Sequence, residues 1–211
     1  MNKREKVLVT AADKVLHELS RRSYDDTRRF SEGLVCNLLV HELLRVRRDW
    51  KSRMWSEVRP FPDEDKERID IWIDHQAGEP VLALEVKVAD PDFKWGNGKY
   101  AIRGGVVSDF LKLADLIKHA TLTIGGYVLL LGRTDYLSDE TALCHLARDP
   151  HTKRFIGNPT KLLPGKGERY YAGLDEWFEP RNGVPRRIAV RRLHYSLRGS
   201  LGVWLWRVGL S

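Results

Sequence analysis

The chain has 211 residues and a mass of 24.4 kDa, enough for one domain with a sizeable buried core. Its formal net charge of +7 and pI near 9.5 suit a polyanionic partner. No stretch approaches the ~18 consecutive apolar residues of a membrane span, and Thr10 and Asp13 break the first apolar run too early for a signal peptide. Cys36 and Cys144 lack metal-ligand spacing and read as small core residues of a reduced, cytoplasmic protein.

Helical periodicity covers residues 3 to 22 and about 30 to 48, with Ser31 near the second start and Arg45, Arg47 and Arg48 at its end, where cations suit the helix dipole. Trp55 to Arg59 forms a first strand, and an acidic, proline-containing loop from Pro60 to Glu67 follows. Residues 68 to 88 then read as two apolar strands around a short polar turn. Beyond them the spacing predicts a glycine-rich basic connection from Asp90 to Gly105 and a helix from about Val107 to His119. A buried strand over Gly126 to Gly132 and a helix from Ser138 to Arg148 complete the central portion. Residues 149 to 185 are irregular, and two late strands, Arg187 to Leu197 and Gly202 to Val208, pair across Arg198-Gly199-Ser200-Leu201.

The central hairpin carries the chemistry. Centred between Ala77 and Gly78, it places Asp70 directly across from Glu85, with Lys87 beside Glu85 on the same face and Ile69, Ile71, Ile73, Leu82, Leu84, Val86 and Val88 on the other. Carboxylates opposite each other in a sheet, with Cβ atoms roughly 5 Å apart, repel unless a positive charge lies between them. Asp74 shares the face of Asp70 and is its rival, whereas Asp63 lies in a charge run that reads as a solvated loop.

Asp70 on the second strand, Glu85-Val86-Lys87 on the third, and the order helix, three strands, helix, strand resemble the core of the PD-(D/E)XK, or restriction-endonuclease-like, nuclease superfamily over roughly residues 27 to 148. Ile69 stands where the family name has proline. The resemblance implies an α/β protein with a restriction-endonuclease-like αβββαβ core, a central mixed sheet flanked by helices. An N-terminal helix precedes this core, and a β-rich basic C-terminal extension, residues 149–211, packs on the same domain as residues 1–148.

It also implies a Mg²⁺- or Mn²⁺-dependent deoxyribonuclease, an endonuclease in preference to an exonuclease, acting by inversion in defence, repair or mobile-element processing. Its catalytic set would be Glu32, Asp70, Glu85 and Lys87, with metal held by Asp70, Glu85 and the carbonyl of Val86. Lys87 would orient or deprotonate the water, and Glu42 is the fallback for Glu32.

Nucleic-acid contacts are expected from Lys94, Lys99 and Arg103 in the basic connection, from Lys112 on the next helix, and from Arg187, Arg191 and Arg192 in the acid-free stretch after Arg181. Lys112 is equally readable as an intrahelical partner of Asp109. Trp204 and Trp206 read as sheet packing. DNA is the expected partner, with no membrane and with a homodimer left open. The alternative is a non-catalytic nucleic-acid-binding module, or a partner-dependent subunit, retaining the same fold.

Overall fold

A computed structural model describes residues 1–21, 31–60, 68–75, 80–89, 98–120, 123–133, 154–156 and 187–210. Helix α1 (Lys3–Arg21) begins with a reciprocal cap: Glu5 N–H donates to Asn2 Oδ1 at 2.9 Å and Asn2 N–H to Glu5 Oε2 at 2.7 Å. Leu8, Ala11, Ala12, Val15, Leu16 and Leu19 recur at helical spacing and are buried. Helix α2 (Glu32–Val46) is capped by Ser31, whose Oγ accepts from Leu34 N–H at 3.1 Å, and it buries Val35, Leu39 and Leu43.

Among the described residues seven strands form one sheet: β1 (Met54–Val58), β2 (Ile69–Ile73), β3 (Val81–Ala89), β4 (Ile124–Arg133), β5 (Arg154–Ile156), β6 (Arg187–Arg198) and β7 (Leu201–Leu210). Their spatial order is β1-β2-β3-β4-β7-β6-β5, and only β3 and β4 run parallel, joined by a crossover through helix α3 (Gly98–His119). The protein is therefore α/β with a mixed sheet. Gly199, with φ of 57°, supplies the left-handed turn between β6 and β7.

The sheet separates two apolar clusters. Helices α1 and α2 cover Ile71, Ile73, Leu82, Leu84, Val86, Leu129 and Leu205 on one face. Helix α3 covers Ala83, Val128, Leu130, Trp204 and Trp206 on the other, where Phe110 meets Trp206 edge-on with ring centroids 5.8 Å apart. Trp204 and Trp206 are thus sheet packing, as their spacing indicated.

Two expectations need correction. Helix α3 starts at Gly98, so Lys99 to Gly105 form its first turns instead of a loop. The paired glycines suggested a break, but a Cβ on Gly105 would lie 3.6 Å from Lys87 Cε; this is where the helix passes over β3. Ile69, expected beside Ile71 and Ile73, joins the α3-side cluster instead. The expected helix at 138–148, together with Asp63, Lys94 and Cys144, lies outside the described residues.

Candidate functional site

The hairpin register is the one expected of a turn centred between Ala77 and Gly78: Ile73 faces Leu82, Trp72 faces Ala83 and Ile71 faces Leu84. Regular pairing stops there, one step short of Asp70 and Glu85. On the other side the β1–β2 ladder pairs Ser56 with Ile71 and Val58 with Ile69, passing over Glu57, whose φ is 55°. A non-glycine residue in that region stores strain, and here it lies opposite Asp70. With the ladder interrupted, the Asp70 side chain itself becomes the partner of β3: Oδ2 accepts from Val86 N–H at 2.7 Å.

Around this interruption four carboxylates and two ammonium groups alternate. Lys87 Nζ lies 3.5 Å from Glu32 Oε1 on α2, 3.4 Å from Asp109 Oδ2 on α3, and 3.4 Å from the carbonyl of Val86. Asp109 Oδ1 is 3.9 Å from Lys112 Nζ, which in turn is 2.6 Å from Glu85 Oε1 and donates to the carbonyl of Arg68 at 2.8 Å. Lys87 thus ties α2 to α3 across the sheet near the end of β3, and Lys112 ties α3 to β2 and β3.

Burial and charge act together here. Glu85 is 1% exposed; burial, reinforced by Asp109 and Asp70, pushes its carboxyl up against the pull of Lys112. Burial also raises Asp109, while Lys87 and Lys112 draw it back. Glu32 is raised by burial and by Asp70, against Lys87. Burial disfavours the Lys87 ammonium, yet Asp109, Glu32, Asp70 and Glu85 outweigh it and hold this lysine firmly protonated. The half-buried Cys36 thiol reports the same field: burial, then Asp70 and Glu32, push it up to about 12, so it is no nucleophile.

Of the expected site residues, the fold brings Glu32, Asp70, Glu85, Val86, Lys87 and Lys112 together. Lys112 is neither a free phosphate ligand nor mainly an intrahelical partner; its nearest partner is the Glu85 carboxylate. Asp109, which bridges the two lysines, was not anticipated as a site residue. Its only sequence signal was the i, i+3 spacing to Lys112.

The rivals are occupied elsewhere. Asp74 accepts from Trp55 Nε1 at 2.7 Å and from Trp72 Nε1 at 2.8 Å. Glu42 pairs with Lys14 and Arg45, each at 3.6 Å.

The basic residues divide. Arg191 lies 3.1 Å from Glu5 Oε1, and Arg207 lies 3.0 Å from the same oxygen, so Arg191 clasps β6 to α1. The Arg192 guanidinium lies over the Tyr195 ring at 5.5 Å. Lys99 and Arg103 stand on the first turns of α3 and Arg187 at the start of β6; their side chains lie outside the described residues.

Among the described residues no three His, Cys, Asp or Glu side chains converge as a closed metal cage requires. The donor set is nevertheless one of hard oxygens, and its four carboxylates outnumber its two ammonium groups. That composition fits a magnesium-like ion, which keeps several waters and needs one or two carboxylates, and does not fit zinc. Among the described residues no helix is long and apolar enough to cross a membrane. In comparisons with protein-family models, curated proteins and solved structures, nothing matches this chain.

Proposed function

We propose that this protein is a metal-dependent nuclease of the PD-(D/E)XK kind, hydrolysing phosphodiester bonds with DNA as the preferred substrate and endonucleolytic cleavage as the preferred mode. The observation that carries the reading is the meeting of Asp70, Glu85 and Lys87 at the point where β2 and β3 stop pairing, with Glu32 contributed by the preceding helix. The order α2, β1, β2, β3, α3, β4 is also the order that such a core has.

Asp70 and Glu85, with the carbonyl of Val86, would hold Mg²⁺ or Mn²⁺, which when bound supplies Lewis-acid stabilisation of phosphate charge and a more acidic water. The chain's own residues do the rest. Val86 N–H fixes the Asp70 carboxylate by taking one of its oxygens, leaving the other for a ligand. Lys87, surrounded by acids and held protonated, serves as a hydrogen-bond donor that orients the water and faces the scissile phosphate, and not as the base. Asp109 positions Lys87 from α3 as Glu32 does from α2. Lys112, 2.6 Å from the buried Glu85, offsets the repulsion between that acid and the half-buried Asp70 in the metal-free protein.

A cytoplasmic location belongs to the same proposal and rests on the free, half-buried Cys36. Binding and cleavage of DNA measured in parallel with Mg²⁺, Mn²⁺ and EDTA test the assignment. Cleavage that requires metal is the expected result. Binding that ignores metal, without cleavage of any substrate, would replace the nuclease by a non-catalytic binding module.

A further inference from the structure

We propose that Trp55 and Trp72 form a base-stacking shelf beside the carboxylate site, so that the substrate carries an unpaired nucleobase next to the bond to be cut. The inference rests on the nuclease reading and names its substrate class. Trp55 on β1 and Trp72 on β2 are Cα partners in an antiparallel ladder, so their side chains stand on the same face of the sheet. Asp74, two residues beyond Trp72, accepts both indole N–H groups, one on each carboxylate oxygen.

Three features turn this arrangement towards a ligand. An exposed tryptophan is ordinarily reconciled with water through its N–H, yet here both N–H groups are turned onto Asp74 while Trp55 remains 55% exposed. What it presents outward is therefore aromatic surface in a pinned orientation, and stacking on such a surface loses little side-chain freedom. Position is the second feature: Trp72 is two residues from Asp70 on the same strand, roughly 7 Å along it, the reach of one nucleotide of an extended strand.

Charge is the third. Arg53, bonded at 3.2 Å both to the Asp74 carbonyl and to Asp49, braces one end of the shelf, while Arg68, 47% exposed, pairs with the exposed Glu57 at 3.5 Å on the Asp70 side. An exposed ion pair of that kind is worth little, and Arg68 can turn to a phosphate. An exposed aromatic surface with a releasable cation beside it matches a stacked base and its phosphate. It does not match a blunt duplex, whose bases have no free face except at its ends.

The test is the affinity of the full chain, in EDTA so that nothing is cut, for a blunt DNA hairpin and for the same hairpin carrying a single-stranded tail. Trp55→Ala should lose about tenfold in affinity for the tailed substrate, as expected for one stacked base, and less than about twofold for the blunt one. Trp55→Phe should retain most of the binding, and Trp55→Leu, which keeps apolar area without a π face, should behave like the alanine variant and covers the case in which alanine impairs folding. Equal losses on both substrates, or unchanged binding of the tailed one by wild type and variants alike, overturn the shelf alone. Failure of the wild type to bind either substrate, in EDTA and with added Ca²⁺ alike, overturns the nuclease reading with it.

Discussion

Lys112 Nζ lies 2.6 Å from Glu85 Oε1, so a cation from the neighbouring helix already answers the most buried acid of the site. The pair is coupled. Lys112→Met strands Glu85 without its partner, and Glu85→Gln alone leaves Lys112 with a neutral acceptor. The double variant, measured by denaturant unfolding against both singles, should return a coupling energy of about 1–3 kcal/mol, the range for groups in direct contact. Additive single effects would show that the ion contact contributes nothing to folding.

The same acid should make the folded state sensitive to pH. Glu85's carboxyl is raised by burial and by Asp109 and Asp70, so its favourable contribution is complete below its unfolded value of 4.5 and is lost as pH rises through the folded value. In EDTA, Glu85→Gln should therefore melt above the wild type at pH 8 and close to it at pH 5, since glutamine has no charge to bury. A gap that narrows as pH rises would contradict the sign.

These relationships show what was legible in the sequence. The polar turn centred between Ala77 and Gly78 set the β2–β3 register, and the alternation of isoleucines, leucines and valines agrees with it, because a slip by one position would turn every apolar side chain to the wrong face. Asp109 was not legible, since its contact with Lys87 exists only because α3 crosses back over β3. Arg191 looked like one cation in an acid-free tail, and its partner Glu5 is 186 positions away. Glu5 stands in the first turn of α1, where the helix dipole favours any acid, so its position alone points to no partner. Local patterns disclose local partners, and the charge relay of this site is built almost wholly from distant ones.

For catalysis, Lys87→Ala should retain folding and DNA binding yet lose at least about a hundredfold in single-turnover cleavage, the behaviour of a group acting in the transition state. Asp109→Asn should lose less, about tenfold, with little change in KM, because the variant misplaces Lys87 without removing it. Asp109→Glu should recover part of the rate. Cleavage by Lys87→Ala at the wild-type rate would remove this lysine from the mechanism.

Metal binding can be read without activity. A ligand that binds only the folded state raises its stability, by about 2.7 kcal/mol at a hundredfold excess over Kd. Added Mg²⁺ or Mn²⁺ should raise the Tm of the wild type, and Asp70→Asn should abolish most of that rise. Asp74→Asn should leave it intact, because both oxygens of Asp74 are committed to indole N–H groups. Loss of the rise in Asp74→Asn alone would transfer the metal site to that residue.

The last prediction separates Arg191 from Arg192, two of the three arginines expected to share one phosphate surface. Arg191 and Arg207 both contact Glu5 Oε1, and Glu5 is 1% exposed, so these bonds fasten the last hairpin to α1. Although burial alone would raise its carboxyl, the Asn2 N–H, Arg207 and Arg191 together hold Glu5 below its usual value of 4.5. A depressed carboxyl contributes stability that is present above that value and lost as pH falls through the folded one. Glu5→Gln should accordingly lower Tm at pH 7 and differ less from the wild type below about pH 4. Arg191→Ala should cost about 0.5–1.5 kcal/mol, the net worth of an ordinary hydrogen bond, because Arg191 is half exposed and Arg207 still answers Glu5, and leave the dependence of log DNA affinity on log salt unchanged. Arg192, held by an aromatic ring and by no carboxylate in that contact, is the better phosphate ligand of the two. Arg192→Ala should flatten the salt slope by up to about 0.9 with little effect on Tm, and the opposite assignment of the two effects would show that Arg191, and not Arg192, tracks the DNA backbone.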